Sequence, residues 1–146
     1  MGLYRAMEIS RSGMDAEIIA QQYIASNIAN INTTRTLYGE PYRRLVPMRQ
    51  AKALSFADEL SIAESSLVAK ESGGVEITEV VQDKTAFRMV YDPSHPDANT
   101  NGYVSYPNVD LSKELVDKIA SSQLYNANIS TFNASKKMIQ DTLTLQ

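Results

Sequence analysis

The sequence predicts a mainly α-helical protein with a small β module: long N- and C-terminal helices, and short antiparallel strands in the middle. Both ends lack proline and carry apolar residues at helical spacing, over residues 2–31 and 110–145. Between them, turns containing Gly or Pro separate short runs of β-branched and aromatic residues. We therefore divide the chain into a helical segment at 1–34, a middle module at 35–106, and a helical segment at 107–146 that pairs with the first.

The N-terminal helix is predicted over residues 2–31. An apolar seam follows one face at spacings of seven, four, seven and three residues, formed by Met7, Met14, Ile18, Ala25 and Ile28. The helix is expected to end at Asn30 and Asn32, followed by the Thr33–Thr34 pair. Asn tolerates the left-handed conformation that closes helices, and β-branched Thr disfavours continuation.

The middle module is predicted to contain four short strands, at 42–46, 75–81, 87–91 and 103–106. Turns bound them at 39–41, 72–74, 92–93 and 99–102, where Gly, Pro, Asp and Asn cluster. An extra amphipathic helix is predicted at 53–70, because Phe56, Leu60, Ala63 and Leu67 lie at i, i+4, i+7 and i+11. A long loop is the alternative for this stretch.

The C-terminal helix is predicted over residues 110–145. Asp110 is a suitable N-cap, and Glu114 in the first turn complements the helix dipole. The apolar seam shifts around the helix between its third and fourth members, and it consists of Leu111, Leu115, Ile119, Tyr125, Ile129, Phe132, Ile139 and Leu143. A helix of this length spans about 50 Å, which is long for a compact domain.

Composition excludes several classes of protein. The net charge of −3 is unsuited to general nucleic-acid binding, which needs excess Lys and Arg. The absence of cysteine excludes disulfides, thiolate metal sites and Cys nucleophiles. Charged residues interrupt the first thirty positions, so we expect no cleaved secretory signal, and no stretch is apolar enough to be inserted in a membrane.

Enzymatic chemistry finds no support in the sequence. It contains neither a Gly-x-Ser-x-Gly elbow nor a phosphate-binding glycine loop. Asp92, His95 and Asp97 have metal-ligand chemistry, but Pro93 and Pro96 favour a rigid turn with surface polar groups. We therefore predict no enzyme activity, and no catalytic, cofactor-binding or metal-binding residues.

The outer faces of both helices favour packing against other helices. They are rich in Asn, Gln, Ser, Thr and Ala rather than in the interspersed charges of a solvated face. Repeated contacts of this kind between copies make an open helical filament, although a simple intramolecular bundle is the alternative. Asn27 and Asn30 share a face and either pack between subunits or simply close the helix. Arg43 and Arg44 either form a solvated strand edge or bind a neighbour's acidic segment.

Three short runs resemble one protein family. The run ASNIANINTT at 25–34 resembles the N-terminal signature of flagellar rod and hook proteins, in which Asn-x-Ala-Asn is followed by Thr. The PYRR run at 41–44 and the PNVD run at 107–110 are similar to those of the proximal-rod subunits in particular. The resemblance covers both ends and most of the middle, and leaves residues 47–72 unaccounted for.

The resemblance implies a structural role in the bacterial flagellum. Such subunits are unfolded substrates of the flagellar type III export apparatus, with an uncleaved signal, and assemble into the rod that crosses the periplasm as a drive shaft. Their terminal helices pack as a coiled coil around the export channel. The implied partners are the export apparatus, other proximal- and distal-rod subunits, as homo- and hetero-oligomers, and the adaptor that joins rod to ring. Within the same class the alternative is another axial component such as a distal-rod protein, and the competing classes are a helical export chaperone and a wall-acting enzyme.

From these patterns we select candidate subunit-interaction residues on both helices and at the two motifs beside them. They are Met14, Ile18, Ala25, Asn27, Ile28, Asn30, Arg43, Arg44, Asn108, Asp110, Leu115, Ile119, Tyr125, Asn128, Ile129, Phe132, Ile139 and Leu143.

Overall fold

The computed structural model describes residues 2–52 and 73–144, so the helix predicted at 53–70 lies outside the described residues. The chain forms two compact units. Unit 1 comprises the described parts of Met1–Ile18, Arg49–Thr78 and Gln123–Gln146, and unit 2 comprises Ile19–Met48 and Glu79–Ser122. Each unit takes a piece of both terminal helices, so the division at 34 and 106 remains a prediction about domains.

The element order confirms the predicted fold class of two long terminal helices around short strands. The elements are α1 (Gly2–Ala29), β1 (Leu45–Ala51), β2 (Val75–Gln82), β3 (Arg88–Tyr91), β4 (Tyr103–Tyr106) and α2 (Leu111–Thr144). In the part of the chain that the structure describes, no helix combines the length and apolarity needed to cross a membrane.

The predicted start of α2 is confirmed, whereas α1 ends at Ala29, two residues before the predicted end. Among the described residues no non-Gly residue has a positive φ, so Asn30 and Asn32 do not close the helix in the left-handed conformation that the sequence suggested. Beyond the end of α1, the Asn30 amide donates to the Ser26 carbonyl at 2.9 Å, and Asn30 Oδ1 accepts a hydrogen bond from Thr33. At the start of α2, Asp110 Oδ1 accepts from the Ser112 backbone N–H at 2.8 Å, which is N-cap geometry.

The four strands form two two-stranded antiparallel sheets, β1–β2 and β3–β4. In the β3–β4 hairpin Arg88 pairs with Tyr106 and Tyr91 with Tyr103, and Val104 is fully buried. The strand predicted at 42–46 was misplaced, because β1 begins only at Leu45. The Tyr42 amide donates instead to the Thr33 carbonyl at 3.1 Å, which ties it to the end of the first helix.

Candidate subunit-interaction site

The side of α1 that the chain buries differs from the predicted apolar seam. From Glu17 onward its buried residues are spaced by three, four and three, as in a coiled coil. The buried residues are mostly small or polar: Ser10, Ala16, Glu17, Ala20, Ile24 and Asn27. Ile18 and Ala25, from the predicted seam, are exposed. At 3.6 residues per turn, the predicted seam lies about 110° around the helix from the buried side.

The buried side of α2 is also polar. Its buried residues are Glu114, Ser121 and Ser135, which lie seven or fourteen residues apart. Leu115, at 45% exposure, and Ile119, at 63%, point elsewhere. The chain therefore covers small and polar helix faces itself and leaves large apolar side chains outside.

The candidate residues divide into three groups by burial. Exposed members are Ile18, Ala25, Asp110, Leu115, Ile119 and Leu143. Partly buried members are Met14, Ile28, Asn30, Arg43, Arg44, Asn108, Tyr125, Asn128, Ile129, Phe132 and Ile139. Asn27 alone of the candidates is buried, at 1% exposure.

Asn27 is fully engaged within unit 2. Its amide nitrogen donates to the Leu45 carbonyl at 2.9 Å and to Glu114 Oε2 at 3.2 Å. Its oxygen accepts from the Leu45 amide and from the Tyr42 hydroxyl, each at 2.9 Å. These bonds use both donors and both acceptor positions of the Asn side chain. One side chain of α1 thus forms hydrogen bonds with the first residue of β1 and with the first turn of α2.

Arg44 supplies the positive charge of the same cluster. Its Nε donates to Glu114 Oε1 at 2.5 Å, and its Nη2 donates to Asp117 at 3.0 Å. Asp83 lies 3.9 Å from Nη1. Glu114 has no exposed surface, and the Arg44 side chain is only 12% exposed. A buried carboxylate needs such partners because desolvation of an unpaired charge is costly.

Asn108 holds the neighbouring backbone. Its Oδ1 accepts from the Arg44 amide at 2.9 Å, and its nitrogen donates to the Asp83 carbonyl at 3.0 Å and to Thr85 Oγ1 at 2.8 Å. The Thr85 backbone and hydroxyl also donate to the Asp83 carboxylate, and this lowers the pKa of Asp83 below its usual value, with Arg44 adding to the shift. We name the group Asn27, Arg44, Asn108 and Glu114 the polar cluster.

The solvated strand edge predicted for Arg44 is wrong, because Arg44 precedes β1 and carboxylates of its own chain surround its guanidinium. Its contact with a neighbour's acidic segment stays a prediction. Arg43 differs, since its guanidinium lies 4.3 Å from the centre of the Phe87 ring, a cation–π contact. Glu114 does more than complement the helix dipole, because it also forms a buried ion pair with Arg44. Sequence reasoning missed this pair because the two residues lie seventy positions apart.

The polar side chains of the Asp92–Asp97 turn bond to other residues of the turn and to Thr34. Asp92 accepts from the Ser94 hydroxyl at 2.6 Å and from the Ser94 amide, which lowers the pKa of Asp92. His95 Nδ1 accepts from the Asp97 amide at 3.1 Å, and Asp97 accepts from Thr34 at 2.8 Å. Among the described residues no His, Cys, Asp and Glu group has the arrangement of a metal site.

Unit 1 combines close approaches of small residues with a hydrogen bond and an ion pair. The Val75 amide donates to Ser12 Oγ at 3.1 Å, and a Cβ on Gly74 would lie 3.0 Å from Ser12 Cβ. A Cβ on Gly13 would lie 2.8 Å from the amide nitrogen of Asn128. An ion pair at 2.9 Å joins Arg49 to Glu17.

Comparison with known proteins identifies the family. A family model described as flagella basal body rod protein matches residues 7–35, and one described as flagellar basal body rod FlgEFG protein C-terminal matches residues 100–145. The flagellar basal-body rod protein FlgC of Bacillus subtilis is 37% identical, over 99% of both chains. Those of Borreliella burgdorferi and Salmonella typhimurium are each 33% identical over 99% of this chain and 98% of theirs. The chain belongs to the FlgC family.

Three residues of the polar cluster come from the sequence runs that carry the family resemblance. The three runs that carry the resemblance to FlgC each contribute to it: Asn27 comes from the first, Arg44 from PYRR and Asn108 from PNVD. The runs are far apart in the sequence and meet through hydrogen bonds. Residues of three separate runs therefore hold unit 2 together.

Proposed function

We propose that this chain is a structural subunit of the proximal flagellar rod that polymerises through the outward apolar faces of α1 and α2. One observation carries the proposal. The chain's own helix contacts use small and polar side chains, while Leu115 and Ile119 remain exposed. Large apolar side chains on one helix face favour burial against other helices, and many copies in head-to-tail contact form a filament.

The finer assignments follow from membership in the FlgC family. We propose that the chain leaves the cytoplasm by the flagellar type III export apparatus without a cleaved signal, and assembles in the periplasm. Its partners are other proximal- and distal-rod subunits and the adaptor to the ring. The assembled rod encloses the export channel and transmits torque. We propose no enzymatic role, because the polar side chains described above are engaged in structural contacts.

Other subunits can bury the exposed face of α2 at Leu115 and Ile119 only if that face stays apolar. We therefore expect Ile119→Asp to abolish rod assembly without unfolding the isolated chain, since Ile119 is 63% exposed. The test is complementation of a strain lacking the gene, read as swimming and as the amount of the chain in isolated basal bodies. Circular dichroism of the purified variant checks folding.

Ala120→Asp is the matched control, because it places the same charge on the next exposed residue of α2, about 100° around the helix. It should reduce swimming less than Ile119→Asp. Normal swimming with Ile119→Asp, with the variant present in basal bodies at the wild-type level, would contradict the proposed interface.

A further inference from the structure

We propose that Asn27 is a positioning residue that fixes the alignment of α1 against α2 and β1 in unit 2. This inference goes beyond the proposed function, because it concerns the isolated chain and holds whether or not the chain enters a rod. It rests on the four hydrogen bonds of Asn27, which end on Tyr42, Leu45 and Glu114.

The rest of the helix contact discriminates poorly between alignments. In unit 2 the buried α1 residues besides Asn27 are Ala20 and Ile24, and the buried α2 residue besides Glu114 is Ser121. Ala20 and Ser121 are small side chains that fit many alignments, and Ile24 is the single large apolar side chain among these buried residues, so packing alone gives a weak register preference. A single buried polar residue is an established way to select one register in a coiled coil.

Asn27 meets this requirement because its partners lie on two different elements. A shift of α1 would separate it from the Leu45 backbone and from Glu114 together. Glu114 would then keep Arg44 but lose the amide donor to its second oxygen, and the buried Asn27 amide would lose all its partners. Leaving buried donors and acceptors without partners is costly, so a shifted alignment is disfavoured.

The chemistry at position 27 is narrowly defined. Asp has nearly the same shape but no donor, and it would place a second carboxylate 3.2 Å from Glu114 Oε2, where the Asn27 nitrogen lies. Ala would remove every bond. Asn30, one turn later, is the natural comparison, because its amide bonds only to Ser26 and Thr33 nearby in sequence.

Cysteine cross-linking tests the alignment directly, because the chain has no native cysteine. The Asn27–Glu114 hydrogen bond fixes one point of the helix contact in unit 2. Stepping seven residues back from Asn27 and seven forward from Glu114, as in an antiparallel pair, gives Ala20 and Ser121, at 1% and 2% exposure. A purified Ala20→Cys, Ser121→Cys chain oxidised with diamide should form this disulfide readily.

Adding Asn27→Asp should slow formation of the 20–121 disulfide roughly tenfold, whereas adding Asn30→Asp should leave the rate unchanged. Adding Glu114→Gln to Asn27→Asp should recover part of the rate, because the introduced Gln amide can donate to the introduced Asp carboxylate. Hydrogen exchange at Val104 in the β3–β4 hairpin reports whether the unit is still folded.

Three results would overturn the proposal. One is a wild-type cross-linking rate with Asn27→Asp. Another is a lost cross-link together with lost protection at Val104, which would make Asn27 a general folding residue. The third is a cross-linking rate that does not recover when Glu114→Gln is added to Asn27→Asp. That result would show that the Asn27–Glu114 hydrogen bond does not determine the alignment.

Discussion

Units 1 and 2 hold their helices and strands together by different physical means. In unit 2 the polar cluster joins α1, α2 and β1 through a buried charge pair and two amide side chains. Unit 1 also contains an ion pair, between Glu17 and Arg49, and the Ser12–Val75 hydrogen bond, but it adds close approaches at Gly13 and Gly74. A polar cluster depends on matched donors and acceptors, whereas close packing depends on volume. The polar cluster of unit 2 should therefore be sensitive to changes of chemistry, and the Gly74 contact of unit 1 to changes of size.

The largest expected effect is at the centre of the polar cluster. Arg44→Met leaves Glu114 buried and without its cation, and breaking a buried pair in this way costs about 3–5 kcal/mol. We expect the free energy of unfolding, measured by urea denaturation, to fall by that amount. Arg43→Met removes only a cation–π contact with Phe87 and should cost about 1 kcal/mol or less. Equal losses for the two variants would refute the distinction between buried and surface arginines.

Replacing both partners sharpens the same comparison. A buried ion pair exchanged for apolar side chains of similar volume is often neutral in stability. Arg44→Met combined with Glu114→Leu should therefore unfold at a higher urea concentration than Arg44→Met alone. A further drop in the double variant would show that Glu114 stabilises unit 2 chiefly through Asn27.

The next largest effect is steric and lies in unit 1. Gly74 has a φ of +112°, and an added Cβ would meet Ser12. Backbone strain and overpacking together should cost Gly74→Ala about 2–4 kcal/mol in unfolding free energy. Gly39 is a matched control, because its φ is +82° and nothing lies within 4 Å of an added Cβ. Gly39→Ala should lower the unfolding free energy only by the backbone strain of its positive φ, about 1–2 kcal/mol. A loss equal to that of Gly74→Ala would mean that the Ser12 contact contributes nothing.

The sequence predicts elements better than contacts. Strand β4 and the Asp110 cap follow from local turn and capping signals, and the structure has both as predicted. The inner helix faces do not follow, because hydrophobic periodicity selects large residues such as Ile18, whereas close helix packing selects small ones such as Ala20. The pairing of Arg44 with Glu114 depends on tertiary structure, and no periodicity reports it.

A smaller effect is expected at the edge of the polar cluster, from pH. Hydrogen bonds from Thr85 lower the pKa of Asp83 in the folded chain. The ionised carboxylate therefore stabilises the fold above the unfolded pKa of about 3.9, and this contribution is lost as pH falls through the lower folded value. Thr85→Ala removes the hydroxyl donor and should raise the folded pKa of Asp83, measured by carboxyl NMR titration. Asp92, held by Ser94 instead, should titrate as in the wild type.

The smallest effect should come from Gly13, although it too lies in a close helix contact. An added Cβ would meet Asn128, at 2.8 Å from its amide nitrogen, but that atom is the end of a flexible side chain. Alanine also favours the helix over glycine by about 1 kcal/mol, which offsets the displacement of Asn128. Gly13→Ala should thus change the unfolding free energy by less than about 1 kcal/mol in urea denaturation. A loss as large as that of Gly74→Ala would show that Asn128 is fixed in place, and that volume limits α1 as strictly as it limits the Gly74 turn.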